Sequence, residues 1–457
     1  MEQRNGLKND SKDKKIPLAA KVNYALMMSG ITLMGGIGGN LEKFYTDFLG
    51  MVPALFGLAH MLFAIVNAIN DPILGYFMDN APHPEKGNKF SRFVLKAIPV
   101  FILGIFFHLL SQPGWNGMIL FLCVFLGYSI FDTAGGMHGI AVNSLVIATS
   151  DSEADRGSFV GVNMIFQTFS GILIFLLPGY FLTGGSTYPQ ALGMFIGFGI
   201  GGIVLFSIGA LILQRRKYPR VESRTKRLWP LLKRIVRQKS YVFNILISFI
   251  ITGIAASQMT FYLYFMDGYL GLGNRAIASV NAIMLPVNFL VYGLAARIIK
   301  RIGIRNMMVS AVIILFIAYM AVLFPTPGII GLFIPSLSFL GNTFWWIVAF
   351  PYSCNVMDEY ADRHGERNQG SLFGVNAIFN APAGSVVIFI FSSIITAFGY
   401  VGAPGEQPPN VKIGLRLGIG GVAVIFCVIA MILIILMPKL RSKKENSEEI
   451  EKLSTLI

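Results

Sequence analysis

Charge is scarce in this sequence: Lys, Arg, Asp and Glu make up 13% of its 457 residues, about half of what a soluble domain carries. A water-soluble globule of this length is thereby excluded. Cysteine is nearly absent, with Cys123, Cys354 and Cys427 each alone in an apolar run, which excludes a disulfide framework or a cysteine metal centre. Five scattered histidines add no ligand cluster and no nucleophile–base pair, so a membrane-embedded hydrolase or metalloenzyme is not supported. The opening stretch MEQRNGLKNDSKDKK is polar and basic and is followed by no small-residue cleavage site, which predicts an uncleaved start.

What is present is apolar. Hydrophobic residues reach 54%, with 38 Phe and 49 Gly, and the mean hydropathy is +0.65. Glycine lets membrane helices approach closely where no hydrophobic effect drives them together. The apolar residues come in runs of about twenty or more, the length that crosses a bilayer as helix. Spans are predicted at 18–46, 52–80, 93–111, 116–148, 158–183 and 188–214, then at 240–267, 275–299, 304–325, 328–357, 369–398 and 411–437.

The loops alternate in charge. SQPGWNG, LTGGSTYPQ and PTPG hold no Lys or Arg, whereas EKGNKFSR, the 215–239 stretch and RIIKRIGIR are strongly basic. Positive loops stay in the cytoplasm, so both termini and the long middle loop are predicted there. The formal charge of +14 then reflects orientation in a cell membrane and contact with lipid rather than nucleic-acid binding. Six spans, a basic linker and six more spans form the layout of the major facilitator architecture. The predicted organisation is an all-α membrane protein with 12 transmembrane helices in two six-helix bundles. The tail at 1–17 is cytoplasmic, the bundles occupy 18–214 and 240–437, the linker is 215–239, and a second tail is 438–457.

Polar groups inside membrane helices are costly and point to function. The second span reads Asn67-Ala-Ile-Asn70-Asp71-Pro72, with Gly75 and Asp79 following. Asn67 and Asp71, four apart, share a helix face, and Pro72 frees a carbonyl. A carboxylate beside an amide and a free carbonyl suits sodium or a proton. Pairing of Asp71 with a base for packing is the alternative, but no basic residue is read as lying deep in another span. Asp132 and His138, six apart in the fourth span, fall on different faces; Asn143 follows. Asn163 and Gln167, Gln258 and Tyr262, and Asn376 and Asn380 are each four apart, giving uncharged polar stripes suited to a hydroxyl-rich neutral solute. Trp345 and Trp346 are candidate platforms for a sugar ring or members of an aromatic belt.

The runs FYTDFLG and NAINDPILGYFMDN, with KGNKFSR, SLV…SDSEADRGS and MDEYADRHGERNQGSLFG, resemble the glycoside–pentoside–hexuronide:cation symporters, whose best-known member is the melibiose carrier. The resemblance implies alternating access and sugar uptake coupled to sodium, lithium or protons, with Asp71 as the cation ligand. It implies Thr32 at the position of the family's sugar-binding aspartate, Asn67 in place of a second carboxylate, Gly139 near a helix-4 aspartate and Pro382 near a helix-11 lysine.

The expected function is therefore secondary sugar:cation symport by a monomer, without cofactor. Asp71, Asn67, Asn70 and Thr32 would hold the cation. Asp132, His138, Asn143, Asn163, Gln167, Trp345, Trp346, Asn376 and Asn380 would meet the solute. Asp79, Lys86, Lys89, Arg92, Asp155, Arg156, Asp362 and Arg363 would be cytoplasmic gate charges. The rival readings are a carrier for an amphiphile, a cation-independent facilitator and a sensor that has lost transport.

Overall fold

The computed structural model describes residues 18–82, 89–149, 153–214, 237–272, 274–324, 328–364, 376, 378–400 and 402–438. The linker from 215 to 236, the N-terminal tail, the C-terminal tail from 439 and Lys86 lie outside them. Among the described residues every regular element is helical, as hydrocarbon requires of an unclosed chain that must satisfy its own backbone.

The first part of the chain forms α1 (Leu18–Gly38), α2 (Leu41–Asp47), α3 (Pro53–Asn80), α4 (Lys89–Leu109), α5 (Gly117–Thr149), α6 (Glu153–Phe181) and α7 (Tyr188–Gln214). The second forms α8 (Lys239–Leu263), α9 (Asn274–Leu323), α10 (Gly328–His364), α11 (Ala383–Ala397), α12 (Pro409–Arg416) and α13 (Val422–Leu436). Wide π turns follow α8 at Tyr264–Tyr269 and α12 at Leu417–Gly421. Gly303, at φ 78, breaks α9 between the two spans read there, a backbone state that glycine enters without steric cost.

One expectation changes. The span read as 18–46 is two helices, because the chain breaks at Gly39-Asn40. The carbonyls freed there are taken up by side chains: Tyr128 Oη donates to Gly38 O at 2.7 Å and Asn40 Nδ2 to Gly36 O at 2.8 Å. The break aims α2 across the end of the bundle.

Within the described residues eight helices are long and apolar enough to cross a bilayer, with shorter apolar stretches at Ile165–Phe181 and Leu337–Ala349. Ile65, Ile69, Ile73 and Phe77 form an exposed stripe on α3, four apart, as a lipid-facing surface demands. The first part packs α1 on α6 and α7, and α5 on α3 and α4; the second packs α8 on α10, α11 and α13. The parts meet where α3 lies on α11 and α6 on α9. The larger apolar core runs through both, from Phe44 and Phe56 to Tyr264 and Phe391, whereas a second core of Met27, Met78, Phe90 and Phe206 belongs to the first part alone.

Close packing of α1 on α7 depends on missing side chains. A Cβ at Gly30 would stand 2.6 Å from Gly202 O, and one at Gly202 would collide with Met34 Cγ and stand 2.7 Å from Gly30 O. Gly202→Leu is expected to lower the thermal unfolding midpoint sharply, since overpacking costs about 1–3 kcal/mol and backbone cannot yield cheaply. Gly35→Ala, which meets nothing within 4 Å, should leave it unchanged. Equal midpoints in a detergent thermal-shift assay would contradict this packing.

Candidate functional site

Two sites stand out, one within the bundle and one at its end. The inner site forms where α3 faces α5. The α3 face opposite its apolar stripe carries Asn67 and Asp71, and Asn70 sits at the stripe's edge toward α5. Asn70 Nδ2 donates to Thr133 Oγ1 at 2.8 Å, and that hydroxyl donates to Ser129 O at 2.7 Å. Asp71 lies against Gly136: a Cβ there would be 2.8 Å from Asp71 Oδ1. Asp132, one turn earlier on α5, is near enough for the two carboxylates to interact electrostatically. The Oδ1 atoms of Asn67 and Asp71 are both buried without a hydrogen-bond partner. Two orphaned oxygens one helical turn apart, with a second carboxylate within electrostatic reach, form a cation-seeking arrangement.

The other predicted residues are dispersed. Thr32 Oγ1 donates to Met28 O on its own helix at 2.9 Å. His138 turns away from Asp132, its Nε2 3.4 Å from Met28 Sδ and its ring edge-on to Phe206. Asn163 is buried with Oδ1 unpartnered, and Gln167 is half-buried on α6. Asn376 Oδ1 accepts from Asn244 Nδ2 at 3.5 Å, and Asn380 keeps a buried unpartnered Oδ1. Gln258 joins Ser338 at 2.9 Å and Asn342, beside a small pocket also lined by Phe261, Tyr262 and Tyr319. Trp345 is 0% exposed within the apolar core, so it presents no ring face to a solute in this conformation. Trp346 is 51% exposed. Arg92 is exposed at the start of α4, while the side chains of Asp79, Lys89, Asn143, Asp155, Arg156, Asp362 and Arg363 lie outside the described residues, as does Lys86.

The second site overturns the reading that no basic residue lies deep. Lys43 of α2 is 1% exposed. Its Nζ lies 2.6 Å from Asp47 Oδ2, one turn on, and 2.7 Å from Asp267 Oδ2 in the second half. The ammonium also stands 5.0 Å from the Tyr264 ring centre, within cation–π range. Asp47 Oδ1 accepts from Tyr400 Oη at 2.8 Å and Thr46 Oγ1 at 2.9 Å. Asp267 accepts from the Gly184 amide at 2.8 Å and the Gly405 amide at 3.0 Å. Thr46 Oγ1 and Tyr264 Oη are 2.7 Å apart, and the Ala54 amide donates to Thr396 Oγ1 at 2.9 Å. Ser392 Oγ lies 2.6 Å from Glu42 Oε1. Most of these contacts join the first half of the chain to the second, and together they shut this end of the bundle.

Sequence reasoning missed this closure. The signal available was the Glu42-Lys43 pair with Asp47 in an otherwise apolar stretch, inside and just before the FYTDFLG run. The π turn that carries Asp267 is the other half of the device, and such turns cluster at functional sites.

A family model described as MFS/sugar transport protein matches residues 18–439. Similar curated proteins include the "Uncharacterized symporter YjmB" of Bacillus subtilis (strain 168), 21% identical over 415 residues and covering 88% of each chain. The isoprimeverose transporter of Lactiplantibacillus pentosus is 22% identical over 403 residues, covering 84% of this chain and 81% of that one. Among solved structures, a D-xylose-proton symporter superposes with a TM-score of 0.63 at 14% identity, over 93% of this chain and 97% of its own. A bacterial homologue of the human lysosomal transporter Spinster, inward-facing and unoccupied, gives 0.64 at 14% identity, over 92% and 95%.

The closure predicts a non-additive mutant set. Lys43→Met leaves two buried aspartates facing each other and should cost about 3–5 kcal/mol, the usual cost of removing one partner from a buried pair. The triple variant Lys43→Met/Asp47→Asn/Asp267→Asn should recover much of that loss. Thermal unfolding of the purified protein reads both, and a triple variant no more stable than the single one would contradict the charge accounting.

Proposed function

The chain belongs to the MFS/sugar transport protein family, and on that premise we propose that it imports a neutral glycoside with one monovalent cation held at Asp71. It is a multi-pass membrane transporter of sugar and not an enzyme. The observation that carries the finer reading is the pair of orphaned oxygens on Asn67 and Asp71. A carboxylate inside a membrane bundle with no cation beside it among the described residues calls for a proton or a sodium ion. Asn70 stiffens this stretch of α3 through Thr133, and Asp132 adds field across the gap. The neutral amides Asn163, Gln167, Asn376 and Asn380 suit hydroxyl groups, and Trp346 keeps exposed ring surface; Trp345 serves packing in this state.

The basic loops favour a cytoplasmic position for both termini, with the chain in the cell membrane. The closed end, bearing the uncharged loops around Ser111 and Gly184, is then external. In this reading the bundles 18–214 and 240–437 rock against each other: the Lys43 closure breaks to admit solute from outside and re-forms as the inner face opens. The basic charges from Lys86 to Arg92, with Asp79, Asp155, Arg156, Asp362 and Arg363, act at that inner face.

Asp71→Asn in proteoliposomes should abolish sugar accumulation against a gradient while sparing counterflow exchange; undiminished accumulation would remove Asp71 from coupling. Isoprimeverose heads the panel of sugars to try. A protonophore at constant sodium should collapse accumulation if the cation is a proton and spare it if sodium. Gly136→Ala, which sets a methyl group 2.8 Å from Asp71 Oδ1, should raise the half-saturating cation concentration about tenfold, equivalent to about 1.4 kcal/mol. An unchanged value would separate the cation from Asp71.

A further inference from the structure

Three carboxylates meet at the closure, and they are not equally served. Asp47 has the Lys43 ammonium and two hydroxyls, and Asp267 has the same ammonium and two backbone amides. Such donor sets suit carboxylates that stay ionised. Glu42 is 2% exposed, its Oε2 is buried without a partner, and among the described residues its Oε1 meets only the Ser392 hydroxyl, 2.6 Å away.

That hydroxyl is contested. Ser392 Oγ also lies 2.7 Å from Ile388 O, one turn back on the same helix. A serine hydroxyl has one hydrogen to give and lone pairs to accept with, whereas a backbone carbonyl can only accept. Both short contacts are satisfied when Ser392 donates to Ile388 and Glu42, carrying a proton, donates to Ser392. The charge balance points the same way. One ammonium already faces two aspartates, so an ionised Glu42 would add a second uncompensated negative charge to a dry interface.

The surrounding titratable groups offer no compensation. Asp47 on the same helix is of like charge. Tyr128 from α5 and Tyr264 from the second half interact with Glu42 as phenols. His60 and His108 stand edge-on to Tyr128, with ring centres 4.5 and 4.7 Å from it, and their buried Nδ1 atoms have no partner. Lys43 is committed to the aspartates.

We propose that Glu42 is a proton-binding site of the shut external face, and that its proton must pass to external water before that face opens. The site is distinct from Asp71 and independent of which sugar is carried. A proton bound only in the shut state favours that state at low external pH and loses its hold as pH rises.

Two readouts on the full-length protein in lipid test this. In infrared spectra of the shut state, Glu42→Gln should lose one protonated-carboxyl carbonyl band. Ser392→Ala, which keeps Glu42, should shift that band upward as the acid loses its acceptor. In a variant with the native cysteines replaced, spin labels at the exposed Gln112 and Asn410 span the two halves at this face. Raising external pH should lengthen their separation in the parent and leave it short in Glu42→Gln. The same band should persist in Asp71→Asn, so failure of the coupling site cannot be confused with failure of this one. A Glu42→Gln spectrum with no lost band, a Ser392→Ala spectrum with no shift, or a label distance that ignores pH in the parent would each overturn the proposal.

Discussion

One ammonium group, Lys43 Nζ, is shared by Asp47 from its own half and Asp267 from the other. An ion triad of this kind, out of reach of water, is worth little as a source of stability, because desolvation of the charges offsets much of their attraction. Its value is that it is bistable. Shut, every polar atom of the triad has a partner; pulled apart, each charged group must be rehydrated at once. Tyr400, Thr46 and the Gly184 and Gly405 amides donate to the two aspartates, while Tyr264 meets the Thr46 hydroxyl and lays its ring near the Lys43 ammonium. The contacts of Tyr400, Tyr264 and Gly184 cross between the halves and break together with the Lys43–Asp267 pair. The break after α1 exists to deliver α2 to this point. The larger apolar core is continuous across the chain's two halves on this side, so opening and closing is a change in packing as well as in charge.

The inner site works by the opposite principle. Every polar atom of the Lys43–Asp47–Asp267 triad has a partner, whereas Asp71 and Asn67 are left wanting partners. In a soluble protein water would fill that need. In the proposed function, the unfilled demand inside a membrane bundle serves as affinity for an ion from outside. Gly136 contributes by absence, since any side chain there would occupy the space beside Asp71 Oδ1. Separating a satisfied gate from an unsatisfied binding site lets solute and ion alter which face is open without titrating the gate aspartates.

The helices could be read from the sequence because hydrocarbon imposes one length and one composition on whatever crosses it. The polarity of α3 could be read for the same reason: with Ile65, Ile69, Ile73 and Phe77 outward, Asn67 and Asp71 must face in. What could not be read depends on register between distant segments. Gly136 comes to lie against Asp71 because of how α5 is set along α3, and nothing within either helix fixes that. Lys43 reads as the flank of a helix until Asp267, far along the chain, is brought to it by a π turn that apolar periodicity does not signal. Trp345, chosen for its chemistry, is buried by packing from helices on several sides, which residue type alone does not reveal. The division of His138 from Asp132 did follow from their spacing of six, since it needed only the geometry of one helix.

A neutral sugar moving with one monovalent cation carries one positive charge per cycle, and that charge is what separates symport from facilitation. The decisive measurement is the current evoked when isoprimeverose, or another neutral glycoside that the protein binds, is applied to proteoliposomes adsorbed on a capacitive electrode. The account predicts a saturable inward charge movement that disappears in Asp71→Asn although the variant still binds the sugar. Saturable sugar uptake with no charge movement in the parent protein would contradict it.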